Sequence, residues 1–244
     1  MIKKKNMSII KLENITYSYG ATNVLDAFNL YFDANNLTCL LGSSGCGKTT
    51  ILRLIAGLET QQKGSIFIDK LLVSKNNKSI ISPEKRKIGF VFQDLALWPH
   101  FTVYKNIAFG LEETKAPDIK TKVFEILDYF GIKDQADKYP NQLSGGQKQL
   151  VAIARSLVLN PKILLMDEPL ANLDVKLKHK ILSYIKNIKE QFNITIIYVT
   201  HDHKEAFAIS DKIIVLNKGK IEAHGNTEEI KSSKNEYVRY FLDY

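Results

Sequence analysis

The feature that most constrains the fold of this chain is a glycine-rich segment ending in Lys48-Thr49. It fits the pattern GxxxxGK[ST], follows the apolar run Leu37–Leu41 and precedes a helical pattern at 50–56. In such a strand–loop–helix unit, glycines let backbone N–H groups surround phosphate oxygens, Lys48 reaches the terminal phosphates, and the Thr49 hydroxyl can bind Mg²⁺. The flanking strand and helix disfavour a chance glycine-rich turn. The candidate phosphate-binding residues are Gly42, Ser43, Ser44, Gly45, Cys46, Gly47, Lys48, Thr49 and Thr50.

Two adjacent carboxylates follow a second apolar run. Residues 163–166 predict a buried strand, and Asp167 and Glu168 come directly after it. An acid at the carboxyl end of a strand can hold a Mg²⁺-bound water, and its neighbour can orient and polarise an attacking water. We therefore predict Asp167 as a magnesium ligand and Glu168 as a general base. A strand ending in Asp-Glu is by itself more often a solvated turn, but the glycine-rich loop reverses that preference.

A third segment combines a helix cap with two glycines. Leu143-Ser144-Gly145-Gly146-Gln147, called the signature segment below, precedes a helical pattern of apolar residues. Ser144 is predicted as the N-cap, and Gly145 and Gly146 leave backbone amides free to face an anion. The alternative is a flexible helix start without a ligand, which this unusual string beside a phosphate-binding loop disfavours.

The remaining pattern indicates an α/β protein with a helical insertion. Short apolar runs predict further buried strands at 88–92, 194–199 and 212–216. A hairpin turn is predicted at 217–219, and residues 94–158 show helical periodicity without a convincing strand. We expect a solvated loop at 75–82 and a polar amphipathic tail from Thr227.

Composition limits the ligands, the compartment and the membrane role that the chain can have. Its 34 Lys plus Arg against 26 Asp plus Glu give a formal charge of +8, which suits nucleic acid, anionic lipid or phosphate ligands alike. Cys39 and Cys46 cannot build a disulfide framework, so a reducing compartment is expected. After the basic residues 3–5, residues 6–8 do not continue into the apolar stretch of a secretory signal, and no apolar run reaches the ~18–20 residues that span a bilayer. We expect a soluble chain whose membrane role comes through partners.

Together these segments resemble the nucleotide-binding subunit of an ATP-binding cassette (ABC) transporter. The resemblance covers residues 9–230, with the motifs in the family's order. It implies an α/β fold, namely a P-loop NTPase (RecA-like) core with an antiparallel β subdomain at 8–93 and 159–230. It further implies an inserted helical subdomain at 94–158 and a short tail at 231–244, with ATP and Mg²⁺ as cofactors.

The resemblance assigns roles that composition does not. Tyr19 matches the aromatic residue that stacks on adenine, although a lone strand tyrosine is about as often a packing residue. Gln93 matches the glutamine that contacts Mg²⁺ and senses the terminal phosphate. His201 matches the histidine that holds the γ-phosphate and the attacking water, although a lone histidine at a strand end is more often a surface residue. Asp174 matches the loop that links two active sites across a dimer.

The predicted strand ends support these assignments. Gly42, Gln93, Asp167 and His201 each follow an apolar strand. Ligands of open α/β sheets bind beyond the carboxyl ends of the strands. We therefore expect these four residues at one crevice.

The resemblance also implies partners. In this family the signature residues Ser144, Gly145, Gly146 and Gln147 cap the ATP held by the opposite subunit, which implies a homodimer with two ATP molecules at its interface. Residues 93–110 resemble importer subunits for sugars, polyamines, ferric iron and oxyanions, in which this region docks two membrane permease subunits. The alternative is that Leu97, Trp98 and Phe101 only form a subdomain core. An extracytoplasmic solute-binding protein and a cytoplasmic location on the inner membrane face are implied, and no nucleic acid is expected.

Three other functions stay open at this point. A soluble ABC ATPase acting on nucleic acid or ribosomes suits the basic charge, but such proteins usually carry a coiled-coil insertion or two cassettes. A regulatory module that holds ATP without turnover is disfavoured by Glu168 and His201. The motor of a separately encoded exporter is less expected, because exporter cassettes are commonly fused to membrane spans. Ser43 in place of the group's frequent proline and Leu150 in place of its usual arginine argue against transferring one relative's substrate.

Overall fold

The chain folds into strands and α-helices, which alternate over residues 37–68 and 163–217 and otherwise follow one another in runs of one type. The computed structural model describes residues 8–171 and 173–243, and the basic N-terminal residues considered above for a secretory signal lie outside these ranges. The strands are β1 (Ser8–Tyr19), β2 (Thr22–Asp33), β3 (Leu37–Leu41), β4 (Lys63–Ile68), β5 (Leu71–Lys75), β6 (Lys78–Ser79), β7 (Ile88–Val91), β8 (Ile163–Asp167), β9 (Thr195–Thr200), β10 (Lys212–Asn217) and β11 (Lys220–Gly225). The α-helices are α1 (Lys48–Ala56), α2 (Val103–Glu113), α3 (Ile119–Tyr129), α4 (Gly145–Leu157), α5 (Val175–Phe192), α6 (His203–Ile209), α7 (Thr227–Lys231) and α8 (Glu236–Leu242).

A six-stranded sheet with the order β11-β10-β3-β9-β8-β7 forms the centre of the fold. β10, β3, β9, β8 and β7 run parallel, so their carboxyl ends share one edge. β11 pairs antiparallel with β10 through the hairpin predicted at 217–219. The predicted strands are confirmed, although the strand at 88–92 ends one residue earlier and is fully buried only at alternate residues, and the strand at 194–199 lies at 195–200.

Alternate residues of the central strands face two separate apolar clusters. Met166 and Tyr198 pack in a cluster with α2, α3, α4 and α5. Leu165 and Ile197, their neighbours along the chain, pack in a cluster with α1 and the strands β1, β2 and β4. Both faces of the parallel strands are thus buried, which explains their continuous apolar sequences.

The second sheet is antiparallel, with the order β2-β1-β4-β5-β6. The prediction of a solvated loop at 75–82 is wrong in part, because Lys75 and Lys78 pair across a short hairpin between β5 and β6. Asn76 and Asn77 close this hairpin at φ 42° and 63°. Asparagine tolerates this left-handed conformation, which a two-residue hairpin turn requires at both central positions.

Three helices follow β7 and precede β8, and they pack on one another. Val103, Ile107 and Leu111 are buried at helical spacing on α2, and Thr102 and Ser144 cap α2 and α4 with their side chains. The helical periodicity predicted for 94–158 is confirmed. The subdomain boundaries stay a prediction.

The tail predicted from Thr227 forms α7 and α8, which pack against β11. Ile230 and Val238 are buried in the same cluster as α2 to α5. Within residues 8–171 and 173–243, no helix is both long enough and apolar enough to cross a membrane.

Candidate functional site

The glycine-rich loop leads directly into α1. Gly47 is the N-cap of α1 at φ 106°, a backbone conformation that residues with a Cβ rarely adopt, and its carbonyl accepts the first helical hydrogen bond from Ile51 at 3.0 Å. The loop therefore depends on glycine at this position. The amides of the first helical turn point toward the loop, as an anion site at a helix N-terminus requires.

Lys48 is buried beneath the loop. Its Nζ donates to the carbonyl oxygens of Gly42 at 2.7 Å and Ser43 at 2.9 Å, and it lies 3.9 Å from Glu168 Oε1. These contacts hold the ammonium group at the loop, between the backbone and a carboxylate. The arrangement places a fixed positive charge where phosphate oxygens are expected to bind.

Asp167 ends β8 and meets the first turn of α1. The hydroxyl Oγ1 of Thr49 donates to Asp167 Oδ1 at 2.9 Å, although the two residues are 118 positions apart. Burial raises the pKa of the Asp167 carboxyl, the Thr49 hydrogen bond opposes this, and the charge of Glu168 adds to the increase. The structure thus brings together two of the three residues predicted as magnesium ligands, Thr49 and Asp167, from separate motifs.

Glu168 is held in a strained backbone conformation next to His201. Its φ is 42°, which costs a non-glycine residue about 1–3 kcal/mol. The Glu168 N–H donates to the Val199 carbonyl at 3.0 Å, and Glu168 Oε2 lies 2.9 Å from His201 Nδ1. The ends of β8 and β9 therefore present a carboxylate and an imidazole in direct contact.

One open pocket of about 280 Å³ joins most of these groups. Its lining residues are Tyr19, Val24, Ser44, Gly45, Gly47, Lys48, Thr49, Thr50, Gln93 and Glu168. Tyr19 is 43% exposed and meets Tyr17 edge to face, so it is not a core residue. Gln93 lies two residues beyond β7 with an exposed side chain. Asp167 and His201 adjoin the pocket through Thr49 and Glu168.

The signature segment forms a helix start outside this pocket. Ser144 and Gln147 cap α4 reciprocally, with Ser144 Oγ accepting from the Gln147 N–H at 3.3 Å and Gln147 Oε1 accepting from the Ser144 N–H at 2.9 Å. Gly146 is buried against Leu177 of α5. Asp174 caps α5, its Oδ1 accepting from the Leu177 N–H at 3.0 Å. Neither the signature residues nor Asp174 line the pocket around Lys48 in the described part of the chain.

Sequence reasoning missed the polar residues that shape the loop after Gln93. The buried side chain of Asn106 accepts from the Trp98 N–H at 2.9 Å and donates to the carbonyls of Trp98, Phe101 and Thr102. Arg155 donates to the carbonyls of residues 95 and 96 and lies over the Trp98 ring at 4.9 Å. Asn106 could have been found from the sequence, because it is a polar residue on the otherwise apolar face of α2.

The aromatic residues of this loop are only half-buried. Trp98 and Phe101 of the loop contact each other and Phe109 of α2, with ring centroids 4.8–6.1 Å apart. Leu97 is also half-buried, but it packs against the apolar cluster that includes α2 to α5. The alternative interpretation, that these residues form the subdomain core, therefore fits Leu97. Trp98 and Phe101, by comparison, present part of their rings to solvent.

Two further contacts to the glycine-rich loop and its helix had no local sequence signal. Arg86 is buried and donates to the carbonyls of Leu54 and Ile55, at the C-terminus of α1, and burial lowers its pKa to about 10. In the tail, the Tyr237 hydroxyl donates to Ser43 Oγ at 3.4 Å. Both partners lie more than 30 residues away along the chain.

The fold and the site define the class of protein. A parallel sheet whose first helix begins in a GxxxxGK[ST] loop, with Thr49 bonded to a carboxylate at another strand end, is the architecture of a P-loop NTPase. A family model described as ABC transporter matches residues 25–171, which is more than half of the chain. The chain belongs to the ABC transporter family, so the family and the fold class predicted from the sequence are confirmed.

Individual relatives agree with this assignment. The chain is similar to the spermidine/putrescine import ATP-binding protein of Haemophilus ducreyi, with 44% identity over 245 residues, 99% of this chain and 65% of the relative. The protein of the same description from Haemophilus influenzae is 44% identical over 98% of this chain and 63% of its own length. The Fe(3+) ions import ATP-binding protein of Vibrio cholerae is 42% identical over 99% of this chain and 68% of its own length. The chain thus spans less than two thirds of the two polyamine relatives.

Proposed function

We propose that this chain is the ATP-binding and ATP-hydrolysing motor subunit of a bacterial ABC importer. The observation that carries the proposal is the meeting of Lys48 and Thr49 with Asp167, Glu168 and His201 at the carboxyl edge of one parallel sheet. The names of the relatives, which specify both ATP binding and import, support it.

The side chains divide the proposed chemistry among them. Lys48 and the loop amides bind the terminal phosphates of ATP, and Tyr19 at the pocket rim stacks on adenine. Glu168 accepts the proton of a water that attacks the γ-phosphate in line, and His201 contacts the γ-phosphate and that water. The fold already holds Lys48 and the loop amides in place, and these groups stabilise the charge on the transferred phosphoryl group. Little reorganisation of the site is therefore needed during the reaction.

The residues present fit a magnesium ion. The Thr49 hydroxyl and the buried Asp167 carboxylate are 2.9 Å apart, and the Gln93 amide is at the same pocket. Oxygen atoms of these kinds are the ligands that Mg²⁺ prefers. Thr49, Asp167 and Gln93 hold the ion in this proposal, and a bound Mg²⁺ supplies positive charge that stabilises phosphate oxygens.

We further propose a homodimer. The signature segment begins α4 outside the pocket of its own chain, so its free amides are available to a nucleotide held by a second copy. Asp174, at the start of α5, links the two sites across the same interface. In this arrangement one chain completes its site only with a partner.

Membrane partners follow from the importer proposal. The half-exposed rings of Trp98 and Phe101, held by Asn106 and Arg155, form the surface on which two permease subunits dock. The chain then lies on the cytoplasmic face of the membrane, with an extracytoplasmic solute-binding protein completing the system. The relatives are named for two different solutes, a polyamine and ferric iron, so the solute itself is not assigned.

Phosphate release by the full chain tests the proposal. Glu168→Gln keeps the size of the side chain but removes the general base, so turnover is expected to fall by about 10²–10⁴-fold while ATP binding is retained. Light scattering of this variant with ATP and Mg²⁺ is expected to show a trapped dimer. Glu190→Gln, an exposed change on α5, is the matched control and should behave as wild type. Unimpaired phosphate release by Glu168→Gln would refute the role of Glu168.

A further inference from the structure

A buried carboxylate that the proposed chemistry does not use follows His201 by four residues along the chain. Glu205, on α6, is 4% exposed. Its Oε1 accepts from Lys178 Nζ at 2.8 Å, and its Oε2 accepts from the Tyr198 hydroxyl at 2.8 Å and from Thr200 Oγ1 at 2.9 Å. Burying a charge is costly unless it is paired and hydrogen-bonded, and here three donors meet that requirement.

The Thr200 hydroxyl connects this network to the backbone on both sides of His201. Besides donating to Glu205, Thr200 Oγ1 accepts from the Asp202 N–H at 3.0 Å. An ionised carboxylate only accepts hydrogen bonds, so Glu205 fixes where the hydroxyl hydrogen points and leaves the oxygen free for the Asp202 N–H. The residues before and after His201 are thereby tied to one buried anchor.

His201 itself has little packing to hold it. Its side chain is 58% exposed. It makes one contact with Glu168, in which His201 Nδ1 lies 2.9 Å from Glu168 Oε2. An exposed ring on a short loop is positioned mainly by its backbone. The direction of the imidazole therefore depends on the turn that Thr200 and Asp202 form.

We propose that Glu205 is a positioning residue for His201. Through the Thr200 hydroxyl it fixes the turn at residues 200–202, so that the imidazole reaches Glu168 and, in the proposed function, the γ-phosphate. Lys178 and Tyr198 hold the carboxylate in its place. The catalytic consequence rests on the proposed function, whereas the placement of the ring does not.

Thr200→Val tests the proposal with the smallest change, because valine keeps the shape and removes the hydroxyl. We expect kcat for ATP hydrolysis to fall by about 10- to 100-fold, the cost of a misplaced catalytic group, with KM for ATP unchanged. Thr200→Ser restores the hydroxyl and should restore kcat. Glu205→Gln should act in the same direction as Thr200→Val, and the exposed Glu228→Gln is the charge-matched control.

A double-mutant cycle separates positioning from a general structural effect. If Thr200 acts through His201, Thr200→Val has no further effect on kcat in a His201→Ala background. An equal loss in both backgrounds would overturn the proposal.

Ring signals of the histidines in an NMR spectrum give a readout without turnover. In Thr200→Val and Glu205→Gln we expect the His201 signal to move, while those of His100, His179 and His224 stay in place. If the wild type does not hydrolyse ATP, the proposed function fails and the ring signal still decides on positioning. An unmoved His201 signal in both variants would overturn the inference.

Discussion

Replacing Gly146 by alanine tests how the signature segment is held against α5. A Cβ at this position lies 2.5 Å from Leu177 Cδ2 and 2.9 Å from Leu177 Cγ, so the whole end of the leucine must move. The neighbouring Gly145 provides a matched control. Its Cβ lies 3.3 Å from Leu173 Cδ2, which a shift of a few tenths of an ångström relieves.

The expected change in the free energy of unfolding follows from two opposing effects. Overpacking a filled site costs about 1–3 kcal/mol. Alanine is the better helix former by at most about 1 kcal/mol, and less at a helix start. We therefore expect Gly146→Ala to lower the free energy of unfolding by about 0.5–2 kcal/mol, and Gly145→Ala to leave it unchanged or slightly raised.

Urea unfolding followed by circular dichroism measures both variants. The midpoint for Gly146→Ala should fall with an unchanged m-value, which indicates a change in stability alone. In a Leu177→Ala background the loss caused by Gly146→Ala should vanish, because the obstructing side chain is gone, and at most a slight gain from helix propensity remains. Equal effects at both glycines, or a loss that persists without Leu177, would contradict the packing reason given for Gly146.

Three other predictions test separate parts of the structure. Lys48→Ala removes a charge-assisted contact worth about 1.5–3 kcal/mol, so ATP affinity in a filter assay should fall about 10- to 100-fold, and normal binding would contradict the loop chemistry. Changing both Trp98 and Phe101 to serine should spare ATP hydrolysis by the isolated chain but stop transport in vesicles that contain the permeases; a failure to fold would favour the core alternative. Burial raises the pKa of Cys39 and Cys46, so the folded thiols keep protons that unfolded thiols lose above about pH 8.5. The free energy of unfolding should therefore fall as pH rises from about 8.5, by up to about 1.4 kcal/mol per unit for each thiol, and a flat profile in urea titrations would contradict this.

The elements with a local pattern were predictable from the sequence. β3 is a short, mainly apolar run that leads into the glycine-rich loop, and β8 is an apolar run that ends at Asp167. The helix cap at Ser144 follows from a hydroxyl residue with Gln147 three positions later. The common edge for Asp167 and His201 also followed, since parallel strands end on one side of the sheet.

The contacts that hold the site were not predictable, because their partners lie far along the chain. Arg86 bonds to the end of α1, 31 and 32 residues earlier, and Glu205 pairs with Lys178, 27 residues earlier. No periodicity marks such pairs. The left-handed φ of Glu168 and its hydrogen bond to Val199 on the neighbouring strand are likewise not marked by any local pattern.

A single-turnover experiment tests the central claim most directly, namely that Glu168 activates the water that cleaves ATP bound at Lys48. The full chain is loaded with ATP labelled on the γ-phosphate, Mg²⁺ is added, and released phosphate is measured against time. The wild type should convert its bound ATP to ADP and phosphate, while Glu168→Gln binds the same amount and retains it uncleaved. Cleavage at the wild-type rate by Glu168→Gln would contradict the account.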